Sequence, residues 1–300
     1  MKYTLRQLAV FVETARHANI SKAAEHLHLS QSAASSALKE LESQYNIQLF
    51  DRVGKRLLLN DLGRALRPKA QALLDQAEAL EHDLLRQRLA ARLTLGATLT
   101  IGNYLAVKLL LAYRSRYPNS DIHLDVDNTQ HIIEKLVNFE LDAAMIEGEI
   151  SHPELDLIPW QSDELIVFCA QDNPLALKHE LTDLDLINAQ WILREPGSGT
   201  RQTFDRAMHG LLSELSVSLE LQHTEAIKEA VKASDQIGCL SRMTLVEELK
   251  SGRFCELKIP HRTFDRMFYL VVHHDKFHSQ AIDQWMALCH ELGPSFSTLG

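Results

Sequence analysis

The chain is 300 residues long, 45% hydrophobic and 24% charged, with a net charge of -9. That length exceeds one ordinary core and implies two or three domains. No apolar run reaches the ~18 residues that cross a bilayer, which excludes a helical membrane protein. The N-terminal apolar stretch contains Glu13 and lacks a small-residue cleavage site, so it does not read as a signal peptide. Cys169, Cys239, Cys255 and Cys289 are far apart in sequence and form no CxxC pair. Buried, reduced thiols in a cytosol fit this spacing better than a disulfide framework or a zinc site. The expected location is therefore cytoplasmic.

The charge is unevenly spread. Residues 1–60 hold eight basic and five acidic side chains, a net charge of +3, which leaves -12 for the remainder. A basic head on an acidic body points to nucleic acid at one end. The first 90 residues contain one proline, Pro68, and two glycines, Gly54 and Gly63. That shift in composition puts a boundary near Ala90.

The head reads as helices. Thr4 suits the cap of a helix with Leu5, Leu8, Phe11 and Val12 on one stripe. Ser21 suits the cap of a second helix, carrying Ala23, Ala24 and Leu27. After the short turn His28-Leu29, Ser30 suits the cap of a third, with Ala34, Leu38 and Leu41 on its core face. Two helices joined this tightly form a helix-turn-helix pattern. An apolar run (Ile47–Phe50), a basic turn with glycine (Asp51–Arg56) and a second apolar run (Leu57–Leu59) read as a hairpin, or wing. Residues 1–60 are thus a winged helix-turn-helix.

From Asp61 to about Arg88 one long helix is expected, a linker over 61–90. Leu66, Leu73 and Leu80 recur every seven residues, and Ala70, Ala77 and Leu84 recur with the same period. This heptad seam suits a dimerising coiled coil. The same pattern also fits one amphipathic helix packed on its own domain. Beyond Arg92, strands and helices alternate, which implies an α/β domain over 91–300 with a mostly parallel sheet.

Candidate DNA-reading residues lie at the start of the third helix and on the wing. Gln31, Ser32, Ser35, Ser36 and Lys39 face away from the core stripe. A recognition helix presents its N-terminal turns to base edges, where Gln pairs with adenine and Ser bonds to base or phosphate. Arg52, Lys55 and Arg56 supply sequence-independent attraction to phosphates. Arg52 has a competing role as an ion-pair partner of Glu42 or Asp51.

In α/β domains, ligands bind outside the carboxyl ends of strands, near helix N-termini. Thr98 and Thr100, Thr129, and the run Ser198-Gly199-Thr200 meet that description, and their N–H groups and hydroxyls suit an oxyanion. Ordinary capping and turn chemistry is the alternative. Glu147 ends a strand directed at the same region. A carboxylate there argues against a bare anion unless it is paired or meets a donor on the ligand.

No GxSxG, P-loop or GxGxxG is present, so no enzyme activity and no cofactor are expected. His273 and His274, the adjacent pair among fifteen histidines, point to opposite strand faces, and no metal site is expected. An enzyme on the α/β domain or an exported solute-binding protein are the rival classes. The first lacks a visible nucleophile–base pair, and the second needs a signal peptide.

Residues 4–60 resemble the LysR family. The pattern rests on Ser21, Ala23-Ala24, Leu27, Leu29-Ser30-Gln31, Ser35, Leu41-Glu42 and Leu49-Phe50-Asp51-Arg52. Arg194–Arg201 and Thr224–Lys228 resemble runs in the family's sensor domains. The resemblance implies an α/β multidomain protein with a two-lobe sensor like a periplasmic binding protein, lobe I at about 91–161 and 266–300 and lobe II at about 162–265. It also implies a transcription regulator that binds double-stranded operator DNA, a small-molecule effector, the transcription machinery and itself, as a dimer or a tetramer built from dimers. The family's corresponding threonines and serines line the effector cleft.

Overall fold

Thr4 and Gln7 start the first helix by capping each other's backbone N–H groups. This computed structural model describes residues 2–54, 56–85, 92–148 and 150–296, apart from the side chains of 82–85 and 294–296. The expected boundary near Ala90, Lys55 and the Leu84 side chain lie outside the described residues. The chain divides into two compact units, residues 1–89 with 274–280, and 90–273 with 281–300.

In the first unit, α1 (Leu5–His17) buries Leu8, Phe11 and Val12 and ends at Ala18, whose φ is +48°. The cap of α2 (Ile20–His26) is Asn19, not Ser21. The left-handed turn at Ala18 leaves Asn19 extended, and its Oδ1 accepts the Ser21 and Lys22 N–H groups at 2.8 and 3.2 Å. Ser21 is already inside the first turn. Ser30 caps α3 (Gln31–Tyr45) by accepting the Ala33 N–H. The wing pairs β1 (Phe50–Val53) with β2 (Arg56–Leu59), antiparallel. Asp51 and Arg52 belong to the strand rather than to the turn, because ladder pairing with Leu58 and Leu57 extends past the apolar run.

α4 (Asp61–Leu85) carries Pro68 in its interior. Leu8, Phe11, Ala34, Leu38, Leu41, Leu49, Phe50 and Ala70 form the head's core, with Leu66 packed against it. Two of the expected seam residues, Leu66 and Ala70, are therefore used within the head. Farther along α4, Leu73 is 40% exposed and Leu80 58%.

The second unit begins with β3 (Arg92–Thr98). It runs into α5 (Leu99–Ile101), a π turn over Gly102–Ala106, and α6 (Val107–Arg116). β4 (Asp121–Asp127), α7 (Thr129–Val137) and β5 (Ala143–Glu147) follow. β6 (Leu155–Ala170) is a 16-residue strand. After it come α8 (Asp183–Asn188), β7 (Gln190–Arg194), α9 (Gly199–Ala207), β8 (Ser216–Leu221) and α10 (Thr224–Lys232). β9 (Ile237–Ser241), α11 (Val246–Lys250), β10 (Phe254–Leu257), β11 (Asp265–His273) and α12 (Gln280–Phe296) complete the described chain.

The strand order is β4-β3-β5-β11-β6-β9-β7-β8, with β10 also on β6. Pairing is parallel in β4-β3-β5 and β9-β7-β8 but antiparallel wherever β6 and β11 take part. The expectation of a mostly parallel sheet thus fails at its centre. β6 runs through both halves: residues 155–164 pair with β11, and residues 165–170 pair with β9 and β10.

Helices cover both faces of each half, as parallel strands require. Tyr113 of α6 and Trp285 of α12 lie in one core, and Ile132 and Leu136 of α7 in another. Trp191 and Phe204 meet edge to face at 4.9 Å in the other half, with Ile227 and Val231 of α10 on the opposite side. All four cysteines are free thiols, and burial pushes the Cys169 thiol up to about 12. Cys255, far from Cys169 in sequence, is its cross-strand partner in β10–β6.

Candidate functional site

The head brings its predicted reading residues together. Gln31, Ser32, Ser35, Ser36 and Lys39 are all exposed on α3, on the face opposite buried Ala34, Leu38 and Leu41. The turn that aims α3 is fixed by the Leu29 N–H donating to the Ala24 carbonyl at 2.8 Å, with His28 at φ +55°. Arg52 and Arg56 are exposed on the wing. Glu42, the partner considered for Arg52, instead accepts the Leu49 N–H at 2.8 Å and anchors the strand entry. Among the described residues, Arg52 forms no ion pair with Glu42 or Asp51. Four polar side chains and three cations thus stand free of any core task.

In the second unit, the seven residues expected at an effector site gather around one carboxylate. Glu147, the last residue of β5, is 1% exposed. Its Oε2 accepts from Thr98 Oγ1 at 2.6 Å, and its Oε1 accepts from Thr100 Oγ1 at 2.9 Å and Thr200 Oγ1 at 3.4 Å. Thr98 stands in the cap position of α5, yet its hydroxyl caps nothing and serves Glu147 instead. The π turn begins directly after α5, two residues past Thr100.

Thr129 ties the two halves of the sheet through the backbone. Its hydroxyl donates to the Glu147 carbonyl at 3.1 Å and accepts the Gly199 N–H at 3.0 Å. Gly199 has no room for a side chain: a Cβ would stand 2.0 Å from the Glu147 carbonyl oxygen. Only glycine allows that approach. Ser198 is a cap, accepting the Thr200 N–H at 3.2 Å. The threonine hydroxyls are buried and bonded to Glu147, at the region where the resemblance implies an effector cleft.

Three residues that sequence reasoning missed complete the cluster. Arg266, buried at the start of β11, donates from Nη1 to Thr200 Oγ1 at 3.0 Å and lies 3.8 Å from Glu147 Oε1. Its Nε donates to Asp163 Oδ2 at 2.7 Å, and Asp163 also accepts from Ser241 Oγ. Two carboxylates and one guanidinium give this buried group a formal charge of -1, offset by hydroxyl donors rather than by a second cation. Arg266 Nη2 has no hydrogen-bond partner among the described residues. Arg266 lines a cavity of about 280 Å³ together with Asp163, Arg206, Asp265 and Tyr269. The signal that marks Asp163 and Arg266 in the sequence is their place at the two expected lobe boundaries, near 161 and 266.

A second tie crosses the same unit. Lys228 Nζ donates to Tyr104 Oη at 3.1 Å and to Glu248 at 3.2 Å, and Tyr104 donates to Glu225 at 2.8 Å. Burial pulls the Lys228 amine down, but the bonds from Glu225 and Tyr104 outweigh it and hold the amine above its ordinary value. Burial raises the Tyr104 phenol above its ordinary value.

The chain matches two family descriptions. Residues 5–64 match "Bacterial regulatory helix-turn-helix protein, lysR family", and residues 86–294 match "LysR substrate binding domain". It is 40% identical over 289 residues to the HTH-type transcriptional regulator YeiE of Escherichia coli (strain K12), covering 96% of this chain and 98% of that protein. Its fold is similar to full-length OxyR of Pseudomonas aeruginosa, with a TM-score of 0.73 at 22% identity over 96% of this chain and 95% of that one. It is also similar to the CcmR regulatory domain of Synechocystis PCC6803 in complex with 2-PG. That TM-score is 0.63 at 28% identity, over 68% of this chain and 97% of that one. With a winged helix-turn-helix head, a linker helix and a two-lobe α/β domain in one chain, this protein belongs to the LysR family of DNA-binding transcription regulators and carries the family's ligand-binding domain.

Proposed function

We propose that this regulator reads a specific operator through α3, is held as a dimer by α4, and is controlled by a small anionic effector bound at Thr98, Thr100, Thr129 and Thr200. The observation that carries the effector reading is the convergence of three threonine hydroxyls on one buried carboxylate. A cradle that satisfies a carboxylate away from water is chemically able to satisfy an effector's oxyanion in its place. In this reading Glu147 is a built-in occupant that the effector displaces, and Arg266, with Nη2 unbonded, supplies the attracting charge. The CcmR regulatory domain, solved in complex with 2-PG, supports a small-molecule effector of this kind. Displacing Glu147 loosens the junction between β5 and α9, and only such a difference between two arrangements lets a ligand shift the regulator's state.

The test is calorimetry on the full chain with sulfate, inorganic phosphate and 2-PG as probes. At least one anion binds, and Thr100→Val and Thr200→Val each weaken it while DNA binding without effector stays intact. Each variant keeps the side-chain shape and removes one donor, which costs about 1–3 kcal/mol when the acceptor is charged. Unchanged affinity in both variants places the pocket elsewhere and leaves these threonines as struts.

The polar face of α3 and the wing cations divide the work on DNA. In this reading Gln31, Ser32, Ser35, Ser36 and Lys39 read base edges and the nearest phosphates, and Arg52 and Arg56 hold the backbone, the role that the sequence also gives Lys55. Gln31→Ala costs ~1–3 kcal/mol on operator DNA and flattens preference at one base pair. Arg56→Ala weakens all sequences alike and lowers the salt slope by ~1. Binding titrations on operator and random DNA across a salt series separate the two, and equal effects of both variants on random DNA sink the assignment. The further partners in this reading are a second dimer of the same chain and the transcription machinery. No described helix is long and apolar enough to cross a membrane.

A further inference from the structure

The DNA-binding head contains a cluster that neither the operator nor the effector reading uses. Glu13 and His17 lie one turn apart on α1, and His26 is the last residue of α2. Glu13 Oε2 stands 3.4 Å from His17 Nε2 and 3.1 Å from His26 Nδ1. One donor atom from each of the three residues lies within 4.8 Å of the others. Sequence reasoning considered His273-His274 and passed over this group, because only folding brings His26 back to α1.

Two observations separate this cluster from a set of ordinary ion pairs. Despite their separation of 3.4 Å, neither Glu13 Oε2 nor His17 Nε2 has a hydrogen-bond partner among the described residues. Both are buried atoms, and a buried polar atom left unmatched is costly. The spacing also fits a shared ion. Imidazole nitrogens and carboxylate oxygens bind zinc at about 2.0–2.2 Å, and two ligands of one tetrahedral centre then lie about 3.3 Å apart. The observed 3.1 and 3.4 Å match that edge.

The remaining groups around the site are compatible with a cation. Arg16 holds the other carboxylate oxygen, Oε1, at 2.8 Å, and its side chain is 23% exposed. Oε2 is therefore left for a second positive partner. His26 is on the solvent side, so an ion has an entry path and at least one coordination position open to water. An N₂O set of two imidazoles and one carboxylate selects late first-row divalent ions over magnesium or calcium.

We propose that Glu13, His17 and His26 form a binding site for a divalent transition-metal ion, with zinc as the reference ion, in the DNA-binding head. The site joins the end of α1 to the end of α2 across the Ala18-Asn19 turn. Ala18 also accepts the Leu57 N–H of the wing at 3.0 Å. An ion here staples the first helix of the helix-turn-helix to the helix and turn that carry the wing. Metal occupancy is thereby linked to the shape presented to DNA, and by reciprocity DNA tightens the metal.

The experiment uses the full chain, freed of metal by chelator dialysis and titrated with Co²⁺, with Zn²⁺ as competitor. One equivalent of Co²⁺ per chain binds and develops the visible absorption of tetrahedral cobalt, and Zn²⁺ abolishes it. His17→Ala and His26→Ala each weaken binding at least about tenfold, since even an outer-shell change costs that much. His179→Ala, at a side chain 89% exposed and outside the cluster, leaves it unchanged. Circular dichroism checks that the variants fold, and both substitutions sit at helix ends where alanine is well tolerated. The proposal is overturned if no stoichiometric tetrahedral Co²⁺ signal appears. It is equally overturned if the signal survives in the folded His17→Ala, His26→Ala double variant.

Discussion

Leu73→Asp yields a monomer that no longer holds operator DNA. Within its own chain Leu73 is 40% exposed, and Leu62 and Leu80 are 40% and 58% exposed. These three leucines lie 11 and 18 residues apart along α4, within about 20° of one another around the helix. An apolar line of this kind, left open on a long helix, is what a two-fold helix pair buries. The head's own core already claims Leu66 and Ala70, so the seam available to a partner runs through Leu62, Leu73, Ala77 and Leu80 rather than along the full heptad.

An aspartate at the centre of that seam buries an unpaired charge, at several kcal/mol per ion. Two-fold symmetry applies it twice. A loss of about 4 kcal/mol is already a thousandfold in the dimer constant. The exposed position leaves the monomer's fold intact. Light scattering on the eluted variant decides the matter: a variant with its parent's mass would show that α4 pairs through another face.

Glu147→Gln strengthens anion binding at the threonine cradle by about tenfold or more. The sign follows from the charge count. With Glu147 ionised, Glu147, Asp163 and Arg266 carry a net charge of -1 in a buried cluster, and an arriving anion must displace one carboxylate. With glutamine the cluster is neutral, and the occupant holds the hydroxyls less tightly, because bonds to an ionised acceptor are roughly twice as strong. Each tenfold corresponds to about 1.4 kcal/mol.

The same change costs folding stability. The bonds from Thr98, Thr100 and Thr200 become neutral ones, a loss of about 1–3 kcal/mol in urea titrations. If instead the effector carries a donor that Glu147 grips, the variant loses affinity. Calorimetry with sulfate, phosphate and 2-PG therefore distinguishes displacement from direct contact by the direction of the shift alone, and weaker binding in the variant ends the displacement reading.

Much of the head was legible because its determinants are local. The Thr4 cap, the Ser30 cap and the spacing of Ala34, Leu38 and Leu41 act within one or two turns of helix. The exposed face of α3 follows directly from that period. The cap of α2 was misread because the deciding feature is the conformation of Ala18, and side-chain chemistry favours serine and asparagine alike as caps. In the α/β domain, the junctions near Thr98, Thr129 and Ser198 were visible as strand-to-helix turns. Glu147 was expected beside them, but not that the hydroxyls of Thr98, Thr100 and Thr200 would bond its carboxylate.

What the sequence alone determined is thus the set of elements and the polarity of their faces: a helix-turn-helix with a basic wing, a long linker helix, and alternating strands and helices. These depend on periods of 3.6 and 2 residues and on caps, which are short-range. The tertiary structure decided which partners those faces meet. It ran β6 through both halves of the sheet and paired β11 antiparallel to it, and so set Asp163 against Arg266, 103 residues apart. It turned three threonines from a cleft lining into the hydrogen-bond shell of a buried carboxylate, and it carried His26 back onto Glu13. Pairings at such separations are fixed by which buried polar atoms must satisfy one another once water is gone, and no local pattern encodes that choice.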